Sequence, residues 1–281
     1  MSRGGGAESM AGLRRAVEEI EGRSGAAEAR GPGSRLSLTR ALDRALGGGL
    51  AGDALHEIAP ATPGDGAAAM GFALALAARF MAESSASGVI LAEDFAGSDM
   101  GPLHGPGLVA HGLELSRLVF VRAPDAPSLF QAMEDALKSG APAVVVGEVW
   151  RLKKYDLAVS RRLLLAARAG STPALLVQAS AHGAADRMSS AAETRFEISA
   201  APSAHLPSAG KGRGLPGRPT FHARLVKARI QAGAGPPVGL DTTRILRLVW
   251  KSEDGQFDEP AISLPLVAEA RDGPRAARAS R

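Results

Sequence analysis

Five consecutive residues, Gly64, Asp65, Gly66, Ala67 and Ala68, stand where a phosphate-binding loop would do its chemistry. They follow an apolar stretch at 54–59 that reads as a strand, and they open a run of small apolar residues from 67 that reads as a helix. Strand, Pro/Gly loop and helix together make the layout of a nucleotide P-loop, whose pattern is G-x-x-x-x-G-K-[ST]. In that pattern the lysine meets the β- and γ-phosphates and the hydroxyl holds Mg²⁺. Anchored on Gly66, the pattern places Ala61 at the first glycine, Ala67 at the lysine and Ala68 at the hydroxyl. Anchored on Gly64, it places Asp65 at the lysine, which would aim a carboxylate at a phosphate, and like charges repel. A helix N-terminus still favours an anion, but only weakly beside that carboxylate. From the residues alone, the stretch is either an ordinary βα turn or a P-loop position without its chemistry.

No other motif offers a reaction. The chain has no cysteine, so neither a disulfide nor a thiolate metal site is available. His56, His104, His111, His182, His205 and His222 show no metal-ligand spacing, and no G-x-S-x-G elbow exposes a serine nucleophile. The one strong charge asymmetry comes late. Residues 199–240 contain no Asp or Glu but carry Lys211, Arg213, Arg218, Arg224, Lys227 and Arg229. Such a stripe can take phosphates without sequence preference, hold an acidic protein, or simply be solvated. Single-strand binders add aromatic platforms for the bases, and only Phe221 and Trp250 lie near. Protein contact with weak, non-specific DNA contact is therefore the expectation for these six cations.

The elements that must position these residues alternate. With 281 residues the chain can form one sizeable domain with appendages. Helix 11–23 presents Leu13, Val17 and Ile20 as one narrow stripe, suited to docking on one neighbour or partner. A Gly/Ala/Pro linker follows, then a short helix at 39–46. Beyond it come strand 54–59, helix 67–83, strand 89–92, a broken helix at 103–111 and strand 118–121. A helix runs from the Asp125 cap to Gly140, followed by strand 143–146, a helix from the Asp156 cap to 168, and strand 174–177. This alternation predicts an α/β fold, a mainly parallel β-sheet flanked by helices on both faces. Strand 194–199 and strands 221–229 and 245–251 follow. The expected organisation is an N-terminal helix and flexible linker at 1–34, the α/β core at 35–200, and a Pro/Gly linker at 201–219. A C-terminal β extension at 220–267 and a basic, disordered tail at 268–281 complete it. Residues 1–10 hold no signal-peptide core, and the longest apolar run, 67–78, falls short of the ~20 residues needed to span a bilayer. A cytoplasmic protein without membrane contact is expected.

The order of these elements resembles the RecA-like core, and more closely the ImuA family. These are bacterial RecA-related proteins of inducible mutagenesis, also described as related to the division inhibitor SulA. The similar segments are LRRAVEEIEGR at 13–23, GGGLAGDALHEIAPATPGDGAAAMGFALALAARF at 47–80 and EDFAGSDMGPLHGPGL at 93–108. VVVGEVWRL at 144–152 and the stretches FHARLVKARI and LRLVWKSEDGQFDE within 221–259 complete the set. In RecA-type ATPases a glutamate just after the second core strand activates the attacking water, and Glu93 holds that place. An aspartate closing the fourth core strand supports Mg²⁺; Gly147 holds that place, with Glu148 next. A polar sensor ends the following strand, and Gln178 fits it.

The resemblance thus implies a P-loop NTPase-type core with degenerate Walker motifs, in which Glu93, Glu148 and Gln178 are vestiges. Hydrolysis requires the phosphate and metal contacts to act together, so no catalyst and no cofactor are expected. Glu93 taken by itself reads as a solvated turn residue. The segments at 151–156 and 179–188, where RecA carries its DNA-binding loops, are short, so no RecA-style filament is expected. The implied role is that of an accessory protein of SOS-induced translesion synthesis and mutagenesis. The implied partners are an ImuB-type Y-family polymerase homologue, RecA and, through the former, an error-prone DNA polymerase III alpha-type subunit. An ATP-dependent RecA-like DNA-binding protein and a SulA-like division inhibitor are the alternatives.

Overall fold

The computed structural model describes residues 33–94, 101, 103–183, 189–203, 217–229 and 241–260. Leu13, Val17, Ile20, Lys211, Arg213 and the basic tail lie outside the described residues.

The valine run Val144–Val149 forms β6, and Ala174–Gln178 forms β7. β-Branched residues fit a pleated surface buried on both sides, and Val144, Val145, Val146 and Leu175–Val177 are all buried here. Around them lie β3 (Leu55–Pro60), β4 (Gly88–Glu93), β5 (Leu118–Ala123) and β8 (Thr194–Ala200), paired in parallel in the order β8-β3-β7-β6-β4-β5. β9 (Thr220–Ala228), β10 (Ile245–Lys251) and β11 (Gln256–Asp258) extend the same sheet beyond β8 by antiparallel pairing, giving nine strands. The C-terminal strands are therefore hydrogen-bonded to the parallel part, as in the pairing of Glu197 with Arg224. A separate two-stranded ribbon joins β1 (Arg35–Leu36) to β2 (Leu50–Ala51) around helix α1 (Arg40–Ala45).

Helices cover both faces. On one lies α2 (Gly66–Ala82), together with the short α3 (Gly105–Ala110); on the other lie α4 (Ala126–Ser139) and α5 (Leu157–Ala169). α2 is apolar almost all round because it sits in the core. Its Phe72 ring lies 5.4 Å from Phe196, 5.8 Å from Phe221 and 5.4 Å from Phe257, joining β8, β9 and β11. The apolar run at 67–78 is short, but with its preceding 3-10 turn the helical segment spans Pro63–Ala82, 20 residues, long and apolar enough to cross a membrane. Most of it is buried against the sheet instead. The α4 boundaries follow local chemistry. The Asp125 carboxylate accepts from the Ser128 N–H at 2.8 Å, and Gly140 closes the helix at φ 64, a left-handed conformation that glycine adopts without a Cβ clash.

Candidate functional site

The turn that enters α2 is closed on itself. Thr62 and Asp65 form a reciprocal capping box around the 3-10 turn Pro63–Asp65. Asp65 Oδ2 accepts from the Thr62 N–H at 3.0 Å and from its hydroxyl at 2.6 Å, while Oδ1 accepts from the Ala200 N–H at 2.9 Å. The carboxylate therefore points into the protein, toward the end of β8. The expectation that it would face a phosphate is corrected by these three bonds. Burial pushes the Asp65 carboxyl up, but the hydrogen bonds from Thr62 and Ala200 outweigh burial and hold it below the ordinary carboxylate range. Neither neighbouring glycine is demanded by the backbone. A Cβ on Gly64 would meet only the Thr62 hydroxyl, at 3.8 Å, and Gly66 has ordinary helical angles, φ −55 and ψ −45. Asp65→Ala removes a charged acceptor shared by three donors, and an expected loss of about 2–3 kcal/mol in urea unfolding follows. Because the folded carboxyl is held low, this contribution is present above the ordinary carboxylate range and disappears as pH falls through the depressed value. A variant as stable as the parent would show that the turn does not depend on this cap.

Beside that turn a cleft of about 570 Å³ opens between α2, α3 and the carboxyl ends of β4, β5 and β6. Ligands of open α/β sheets bind at such strand ends. Gly66 and Ala67 line it, while Gly64 is exposed outside and Ala68 packs against the core. Glu93 and Glu148 line it too. Glu93 is no solvated turn residue, because β4 continues through it and pairs it with Ala123 of β5. It is only 2% exposed, and neither carboxylate oxygen has a hydrogen-bond partner. Glu148 lies opposite Ala92 in the β6–β4 ladder. Burial raises its carboxyl above the ordinary range, the Trp150 side chain pulls it down, and the charge of Glu93 pushes it up again.

Gly147 does not close its strand, which runs on to Val149. A Cβ there would sit 2.3 Å from the Met133 sulfur, so this glycine serves the packing of α4 on β6. Gln178 ends β7, fully buried with both amide atoms unpartnered, and is not among the residues lining the cleft.

Four lining residues carry no signal in the sequence: His104, His111, Phe120 and Arg122. His111 Nε2 donates to the Gly71 carbonyl at 2.7 Å, and burial lowers its basicity more than that bond raises it. Arg122 is held at 2.9 Å by Asp94. Only the folding of a Gly/Pro loop onto α2 brings the two histidines here.

Among the described residues of the basic block, two cations are paired with carboxylates. Arg218 pairs with Glu253, and Arg224 holds Glu197 through two nitrogens, at 3.0 and 2.9 Å. Lys227 donates to the Ser190 carbonyl at 2.7 Å; burial first, then the charge of Arg229, lower its pKa to about 8. Arg229 is exposed at the end of β9. Glu197 and Glu253 lie outside the acid-free segment 199–240, so the partners of Arg224 and Arg218 come from elsewhere in the chain.

The described residues thus define a mixed α/β protein with a largely parallel nine-stranded sheet and a cleft lined by two carboxylates at its carboxyl edge. No protein-family model and no curated protein matches the chain. Among solved structures it is similar to the crystal structure of SulA from Pseudomonas aeruginosa, at 21% identity and a TM-score of 0.35, over 44% of this chain and 96% of that one. At that level the match informs neither mechanism nor partner.

Proposed function

We propose that this chain is a non-catalytic accessory protein on a RecA-like, P-loop NTPase-type core with degenerate Walker motifs, acting as ImuA-family proteins do in SOS-induced translesion synthesis. The observation that carries this reading is the engagement of Asp65. The centre of the would-be phosphate loop is filled by a carboxylate bonded to its own turn and to β8. Ala67 offers a methyl group to the cleft where an ammonium would be required, and Glu93 and Glu148 repel a polyphosphate. A role through protein contact draws support from apolar side chains left exposed near the sheet edge. Val119 of the edge strand β5 is 49% exposed, and Leu115, four residues before it in the chain, is 42% exposed. The partners in this reading are an ImuB-type polymerase homologue, RecA and, indirectly, a polymerase III alpha-type subunit, in the cytoplasm.

Two measurements test it. Mg-ATP, with or without single-stranded DNA, is expected to leave the melting temperature unchanged and to yield no inorganic phosphate. Saturable stabilisation or Mg²⁺-dependent phosphate release overturns the non-catalytic reading in favour of the ATP-dependent one. Co-expression of the full chain with the ImuB-type protein is expected to give a complex that survives size exclusion. Separate elution of two folded proteins overturns the adaptor reading.

A further inference from the structure

We infer that the cleft between α2, α3 and the carboxyl ends of β4, β5 and β6 is a binding site for an amphipathic organic cation, an ammonium or guanidinium carried on an apolar body. The inference does not depend on the adaptor role.

The cleft holds two carboxylates, Glu93 and Glu148. Glu93 is buried with both oxygens unpartnered, and a buried carboxylate is stable only when it is paired or neutralised. Glu148 shares the cleft with it, near enough for the charge of Glu93 to act on it. Among the described lining residues the one permanent cation, Arg122, is already paired with Asp94. Burial lowers the basicity of His111, and His104 is exposed. A complementary ligand therefore brings its own positive charge.

The rest of the lining is apolar, with Met70, Leu74, Ile90, Leu103, Leu108 and Phe120 facing the space. Its volume of about 570 Å³ suits a small molecule, since such pockets commonly measure ~300–1,000 Å³. A divalent metal is a poorer match. Among the described residues no group of three or more His, Asp or Glu side chains is placed to hold one. Anions are repelled by the same two carboxylates. An organic cation satisfies both features, with its charge against Glu93 and Glu148 and its body on the apolar walls.

Hexylguanidinium is the probe, titrated calorimetrically into the full chain beside hexylurea, which has the same shape without charge, and hexanoate. Hexylguanidinium is expected to bind at least about tenfold tighter than hexylurea, the scale of one charge-assisted hydrogen bond, and hexanoate is expected to be the weakest of the three. Glu93→Gln keeps the side-chain shape and removes the charge. It is expected to bring the guanidinium and urea affinities to about parity without lowering the melting temperature, since an unpaired buried charge is lost. If that variant fails to fold, Glu148→Gln is read in its place and is expected to reduce the same preference. Equal affinity for the charged and neutral probes in the parent, or a preference undiminished by the substitution, overturns the inference.

Discussion

Arg195→Met is expected to destabilise the protein by about 3–5 kcal/mol, the scale on which breaking one side of a buried ion pair acts. Glu57 lies in the middle of β3, fully buried, and the parallel register places it directly beside Arg195 of β8. Arg195 Nε meets Glu57 Oε2 at 2.6 Å, and a second nitrogen of the same guanidinium donates to the Ser190 hydroxyl at 2.9 Å. The Tyr155 hydroxyl donates to the other Glu57 oxygen. Burial first, and the charge of Glu57 next, push the phenol's titration well above its ordinary value. Without the guanidinium, Glu57 is a buried carboxylate with one neutral donor. The double variant Glu57→Gln/Arg195→Met removes both charges and leaves an amide oxygen to accept from Tyr155, so it is expected to recover at least half of the loss. Urea unfolding of the three proteins decides it. If the double variant is as unstable as the single one, the loss comes from packing and not from the unpaired charge.

Acid is expected to weaken the protein between pH 6.5 and about 4, through His56. Its ring is fully buried between β8 and the ribbon, with Nε2 donating to the Ala51 carbonyl at 2.8 Å and Nδ1 accepting from the Thr194 hydroxyl at 2.8 Å. Both bonds suit the neutral ring. Burial lowers the pKa from 6.5 to about 4; the Ala51 bond opposes the fall, and the nearby charge of Arg35 adds to it. The unfolded chain takes up this proton at its ordinary pKa while the folded chain refuses it, so the stabilisation is complete above 6.5 and is lost as pH falls toward about 4. Each pH unit of that window is worth about 1.4 kcal/mol, giving a total of roughly 3 kcal/mol. His56→Gln is expected to be less stable at pH 8 and to show a flatter pH profile through this window. A parent profile that is flat between pH 7 and 4 would remove His56 as the cause.

The main helices and inner strands were legible because their signals are local. Asp125 and Gly140 mark the ends of α4 within a few residues, and the valines of β6 announce a doubly buried strand. The ribbon strands β1 and β2 have two residues each and β11 has three, too short for any alternation to register. Glu57 and Arg195 are 138 positions apart, and nothing near either one names the other. The carboxylates that pair with Arg218 and Arg224 were not legible for the same reason, since Glu253 and Glu197 meet them only through a turn at the sheet edge and strand pairing.

What the sequence determined by itself is the side-chain chemistry after the first core strand: Ala67 and Ala68 carry methyl groups, with neither an ammonium nor a hydroxyl, a covalent fact that no fold can alter. Alternating element types also follow from the chain alone, because they depend on neighbours a few residues apart. Only the tertiary structure decided that Asp65 turns inward to β8, that Glu93 is buried without a partner, and that Glu148 shares its cleft. Burial and charge pairing depend on what packs over a side chain, and here those surroundings arrive from strands and helices distant in the chain.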